Sequence, residues 1–271
     1  MSQTLLLFLQ DHPGIFLLWI GCLGLVVGSF LNVVIYRLPK ILEQVGETTF
    51  NLAMPRSYCP HCQTTIKAWN NIPLLSFMIL RGQSNCCQKP ISRRYPLVEL
   101  LTLVLSVMIA YNFGVSIQTF AALLLLWSLL ALVFIDCEHQ ILPDNITLPL
   151  MWAGLVVNTA QIFATPIDAI FGAVIGYSIF WSIAYLFKRL RGVDGLGLGD
   201  AKLLAAGGAW FGWQFLPLII LIAAISGLII SVSYNLIQKR SHREPIPFGP
   251  FIAGACMITL LWGHPLLEWL S

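Results

Sequence analysis

The chain has 271 residues, of which 58% are hydrophobic and only 10% charged, with a formal net charge of +3 and a mean hydropathy of +0.81. Soluble domains carry roughly 25% charged residues, so this composition excludes a water-exposed globule, a disordered chain and a coiled coil. Fifteen basic residues also exclude a nucleic-acid binder unless they gather on one face, and their positions rather than their sum decide what they mean.

A transmembrane helix needs about 20 mostly apolar residues to cross a hydrocarbon layer about 30 Å thick. In chain order, Ile15–Tyr36 is free of charge and forms the first span, preceded by a short segment, MSQTLLLFLQ, placed at the outer interface. It lacks the basic n-region and A-x-A site of a secretion signal. Residues 37–96 form a polar insert, and Leu97–Val115 follows as the second span with a single charge, Glu99, beside the candidate partners Arg93 and Arg94. Gln118–Ile135, Ile146–Ala164 and Ala169–Phe187 are the next three. The uncharged run Leu203–Ile237 is too long for one span and suits two that turn near Gln214–Pro217; Phe248 to about Leu267 completes a count of eight.

All fifteen bases fall in three segments, after the first, fifth and seventh spans. Lys and Arg stay on the cytoplasmic side, and these segments share a side only if the 203–237 run crosses twice. The expected fold is an all-α integral membrane protein with about eight transmembrane helices, a cytoplasmic Cys-containing insert between helices 1 and 2, and both termini periplasmic. Its divisions are 1–36, the first helix; 37–96, the insert; and 97–271, a seven-helix membrane core.

The insert holds four of the seven cysteines, Cys59-Pro60-His61-Cys62 and the adjacent Cys86-Cys87. In a reducing compartment such a cluster reads as a metal site rather than as disulfides, and tetrahedral zinc favours thiolates from two short knuckles. The first knuckle has that form and the second does not: Cys86 and Cys87 supply one ligand between them, with His61 or water completing the shell, or the thiols are unligated. The remaining cysteines, Cys22, Cys137 and Cys256, read as small apolar packing residues.

Ionisable groups at membrane depth are costly and mark function. The charge map brings Asp136, ending the third span, and Asp200, opening the sixth after Gly197-Leu198-Gly199, to the same edge. Two carboxyl groups held together share a proton, so one activates a water while the other donates to a scissile carbonyl, as amide hydrolysis requires. Gly197 and Gly199 let a substrate backbone approach. Asp136 sits at a helix C-terminus, which disfavours negative charge, so it has no evident structural reason to be acidic. Asp200 and Asp144, the latter in Pro143-Asp144-Asn145, can also be read as helix caps.

Together these residues resemble the type IV prepilin peptidases, bifunctional leader peptidases and N-methyltransferases. The matching segments are Gly28–Pro39, Cys59–Cys62, Asn71–Phe77, Ile91–Leu100, Ile135–His139, Leu142–Asp144, Gly195–Lys202 and Pro247–Pro250, in order through nearly the whole chain. The resemblance implies a G-x-G-D aspartic protease of the bacterial inner membrane with Asp136 and Asp200 as its catalytic pair and Gly197, Gly199, Asp144 and Lys202 in support. It implies cleavage of the short basic leader of prepilins and pseudopilins after a Gly at the cytoplasmic face, then N-methylation of the new terminus with S-adenosylmethionine. Glu138, Asp144 and Asp194 are available to attract that leader. The family's insert carries two C-x-x-C knuckles; here Ser84 stands where the third Cys belongs and Cys87 on the fourth, so either Cys86 substitutes or the zinc site is incomplete.

Two other readings use the same residues. One is a transporter with Asp136 and Asp200 as a proton relay; the other is a scaffold whose insert binds a partner through a zinc ribbon. A peptidase without methyltransferase activity is a variant of the first reading. Nothing in the sequence sets an oligomeric state.

Overall fold

A computed structural model describes residues 3–43, 51–54, 56–59, 61–66, 72–192, 197–238 and 247–270. Asp194, four of the fifteen bases (Lys67, Lys239, Arg240 and Arg243), and Asn71, Gly195 and Leu196 of the quoted segments lie outside them. The described chain is helical, with α1 Gln3–Asp11, α2 Pro13–Glu43, a short α3 Leu75–Ile79, α4 Arg94–Phe113, α5 Ile117–His139, α6 Asp144–Thr159, α7 Pro166–Arg191, α8 Leu198–Phe211, α9 Leu216–Gln238 and α10 Gly249–Leu270. Five of these (α2, α4, α5, α7 and the α9 stretch) are long and apolar enough to cross a membrane. Helices α6, α8 and α10 occupy the apolar stretches read as the remaining spans. The two-crossing reading of 203–237 is matched by a break at Gly212, whose φ of +85° suits only glycine, followed by a 3-10 turn at Trp213–Phe215.

Helix ends follow local chemistry. Pro166 opens α7 behind Thr165, whose hydroxyl accepts the Asp168 N–H at 3.2 Å, and α7 stops at Gly192 in the left-handed region, as caps of these types do. Helix α2 overruns the expected boundary at Tyr36 by seven residues, through Pro39 to Glu43. Arg37 does not end it because its guanidinium is buried and donates to the Asn51 and Leu52 carbonyls at 3.0 and 3.3 Å.

Two compact units divide the chain, residues 1–131 and 132–271. In the first, α2 packs along α4, and Trp127 Nε1 donates to Ser106 at 3.0 Å. In the second, α8 is buried almost throughout and packs against α7 and α6. Trp210 Nε1 donates to Leu150 O at 2.8 Å, while Asn158 spends both amide hydrogens on Ala209 O and Trp210 O and accepts from Phe163 and Ala164 N–H. The α7–α8 contact is a small-residue crossing: a Cβ on Gly172 or Gly208 would collide with the other's carbonyl. Membrane helices use such positions because dispersion, not hydrophobicity, holds them together. Gly172→Val should therefore destabilise the second unit by about 3 kcal/mol or more, read as a lowered melting midpoint in detergent; an unchanged midpoint would refute the crossing.

Candidate active site

Helix α5 ends where Gln140 turns left-handed, φ +55°, and its N–H closes on Asp136 O at 2.9 Å. The chain then passes Ile141-Leu142 to Pro143, the cap of α6. That short connection sets Asp136 one turn above a loop folding back over it. Helix α8 opens with Gly197 as cap and Asp200 in its first turn; the Asp200 N–H bonds Gly197 O at 3.1 Å, and its carboxylate reaches back toward the Gly197 N–H, the half of a capping box that an acid at the third helical position supplies.

Asp136 and Asp200 are both buried, 5% and 8% exposed, in the second unit and near enough for the Asp136 charge to act on Asp200. Asp136 Oδ2 makes no hydrogen bond among the described residues. Leu142 lies against Gly199, where a Cβ would stand 2.9 Å from its own Cβ. Gly249, first residue of α10, faces both Leu142 and Asp136: a Cβ there would fall 2.5 Å from Asp136 Oδ2. Thus Gly199 and Gly249 keep three helix termini close around one carboxylate. In the sequence Pro247–Pro250 is a family segment in which Gly249 has no assigned role; a glycine between two prolines at a helix start is its signal, and only the folded contact explains it.

The supporting residues separate into two groups. Gly197 and Gly199 border Asp200. Asp144 and Lys202 instead form an ion pair, Nζ to Oδ1 and Oδ2 at 2.6 and 2.8 Å. Asp144 is not a side-chain cap: Pro143 holds the cap position and Asp144 is the first helical residue, where the helix dipole favours its charge. Because Lys202 neutralises it, Asp144 contributes little to attracting a basic leader; an exposed pair of this kind contributes about 0–1 kcal/mol to stability. Glu138 is exposed beside the site.

In the insert, the two knuckles repeat each other. In the first, Cys59 N–H bonds Thr64 O, Gln63 N–H bonds Cys59 O and Ile66 N–H bonds Ser57 O; in the second, Ser84, Lys89, Gln88, Ile91 and Gly82 make the corresponding bonds, all at 2.8–2.9 Å. Gln63 and Gln88 take the same left-handed turn, φ +56° and +53°. Ser84 therefore occupies the Cys59 position and Cys87 the Cys62 position, while Cys86 occupies that of His61. Cys86 nonetheless joins the cluster: Cys62–Cys86 is 3.1 Å and Cys59–Cys87 3.7 Å, and all four sulfurs lie within 4.8 Å of one another. A tetrahedral zinc with bonds of about 2.3 Å needs sulfurs roughly 3.8 Å apart, so this set could hold a metal, with the Cys86 sulfur available in place of Ser84. The Cys62 N–H is the main influence holding the Cys59 thiol down at about 5, and the Thr64 hydroxyl lowers Cys62, so these two sulfurs favour the thiolate that metals bind, whereas Cys86, despite the Ser84 hydroxyl, is pushed up to about 11 by the Cys62 sulfur. Of the other cysteines only Cys256 packs as expected; Cys22 and Cys137 are exposed. Glu99 does not pair with Arg93 or Arg94 but accepts the Leu74 N–H at 2.9 Å and faces Ser29.

Residues 123–232 match the Type IV leader peptidase family and residues 22–113 the Bacterial Peptidase A24 N-terminal domain. Curated relatives carry the name Prepilin leader peptidase/N-methyltransferase. That of Stutzerimonas stutzeri is 47% identical over 96% of this chain and 95% of its own. That of Pseudomonas aeruginosa is 47% identical over 97% and 96%, and that of Legionella pneumophila 43% over 96% of each. No solved structure matches the chain significantly.

Proposed function

We propose, for a chain that belongs to the type IV leader peptidase family, that Asp136 and Asp200 are the catalytic pair of a bifunctional enzyme. It removes the short basic leader from type IV prepilins and pseudopilins after a Gly, at the cytoplasmic face of the bacterial inner membrane, and N-methylates the residue so exposed. The observation that carries the reading is the pairing of two buried carboxylates, one on α5 and one on α8, within electrostatic reach. With one carboxylate ionised and the other protonated, the first takes a proton from water as its oxygen attacks the scissile carbonyl. The second donates to the carbonyl oxygen; collapse breaks the C–N bond and returns a proton to the departing amine. Gly197 and Gly199 leave the α8 entrance open to a substrate backbone. The transporter and scaffold readings have no comparable support from relatives.

The charge asymmetry orients the chain with its insert cytoplasmic and both termini periplasmic. The proposed division of labour keeps 1–36 as the anchoring helix, 37–96 as the insert and 97–271 as the membrane peptidase core. S-adenosylmethionine, the methyl donor, supplies an electrophilic methyl group; the amine freed by cleavage is the acceptor. Cys59, Cys62, Cys86 and Cys87 would hold a zinc ion that braces the two knuckles. Purified enzyme should contain about one zinc per chain, and Cys59→Ser should lose it, by elemental analysis; full retention would show that the cluster does not ligate. Co-expression with a prepilin followed by mass analysis of its N-terminus tests cleavage, position and methylation together.

A further inference from the structure

A cavity of about 910 Å³ lies wholly within the first unit, between the distal part of α2, the two knuckles and the start of α4. We propose that it is the S-adenosylmethionine site of this chain, an inference that rests on the methyl-transfer half of the proposed function. Its volume is at the upper end of the roughly 300–1,000 Å³ of sites for drug-sized ligands. The lining supplies the groups such a ligand requires. Tyr58, Phe77 and Tyr95 line it, with the Arg94 guanidinium over the Tyr95 ring at 5.0 Å, and aromatic rings attract an adenine and a sulfonium cation.

The polar lining is the stronger argument. Glu99 is 8% exposed and lines the cavity. Its neighbours are neutral donors, the Leu74 N–H and Ser29; no cation pairs with it among the described residues. A buried carboxylate without a cation is costly, and one facing a cavity can recover that cost from a ligand that brings positive charge or hydroxyl donors. Asn32 is 3% exposed and lines the same cavity. Its amide nitrogen donates to Tyr95 O at 3.1 Å and more weakly to Gly28 O, which aims the amide, while its Oδ1 has no partner among the described residues. A buried carboxylate with no cation and an amide oxygen with no donor, in a lining that also holds aromatic rings and Arg37, Arg93 and Arg94, match a ligand that carries an amino group, a ribose diol, a carboxylate and a sulfonium. A lipid tail would need none of them.

The test uses the full chain in nanodiscs with tritiated S-adenosylmethionine, by equilibrium binding and by ultraviolet photolabelling read on peptides. Label should fall within residues 29–99, and Glu99→Gln, which keeps an acceptor for the Leu74 N–H, should weaken binding about tenfold or more. Label confined to residues 132–271, or a folded Glu99→Gln that binds within twofold of wild type, would overturn the proposal. So would a Glu99→Gln variant whose only defect is a raised KM for prepilin, which would make the cavity a leader-peptide site. If the wild-type chain methylates cleaved pilin while label falls elsewhere, the site is wrong and the function stands. If it yields no methylated product and binds no donor, the function reading fails as well. Photolabelling of the wild type decides the matter even if Glu99→Gln does not fold.

Discussion

Asp136→Asn and Asp200→Asn are each expected to lower prepilin leader removal by about 10³-fold or more, with the protein still in the membrane in normal amount. Asn keeps the shape and volume of Asp, so the packing of Leu142, Gly199 and Gly249 around the site is retained while the acid–base function is lost; removing one proton-transfer group typically costs 10²–10⁴-fold. The double variant should be scarcely worse than either single one, because residues that act as a unit are not additive. The same variants should still methylate a synthetic peptide that carries an already-cleaved pilin N-terminus, since the cavity proposed for the donor lies in residues up to 131 and the carboxylates in residues beyond. Processing is followed by gel shift and N-terminal mass. Either single variant cleaving at more than about a tenth of the wild-type rate would remove the dyad assignment, a tenth being the loss of only about 1.4 kcal/mol.

The parts of this molecule that sequence made legible are those governed by one-dimensional rules. Apolar runs place the helices, including a turn near Gln214–Pro217 that the structure makes slightly earlier, at Gly212–Phe215, because span length acts on the chain before it packs. Asp136 and Asp200 stand out by the same logic, as acids at the ends of two apolar runs. What stayed hidden depends on contacts between distant residues. The overrun of α2 could not be read because Arg37 and Pro39 look like a boundary, and only the carbonyls of Asn51 and Leu52 explain how that charge is buried. The pairing of Lys202 with Asp144 joins helices 58 residues apart. The resemblance sets Ser84 and Cys87 on the second knuckle, but only the repeated backbone hydrogen bonds show that the two knuckles fold alike. That Cys86, at the position of His61, reaches the cluster is visible only in its 3.1 Å approach to Cys62.

Gly249→Ala should cost about 10²-fold in kcat with little change in KM. The added Cβ would stand 2.5 Å from Asp136 Oδ2 and 3.1 Å from the Leu142 methyls, well inside carbon–oxygen contact distance, so the carboxylate must shift. A misplacement near 1 Å is enough for a loss of that size. Gly254, on the same helix with nothing within 4 Å of its would-be Cβ, is the control: Gly254→Ala should process normally, which separates crowding at the site from a general effect of alanine in α10. Adding Leu142→Ala to Gly249→Ala distinguishes the two neighbours. If displacement of Asp136 causes the defect, relieving Leu142 restores little; if strain on the Leu142 loop causes it, activity returns. Wild-type kcat in Gly249→Ala would mean that the Asp136 carboxylate does not sit against Gly249 in the working enzyme, and the role given to Pro247–Pro250 would fall with it.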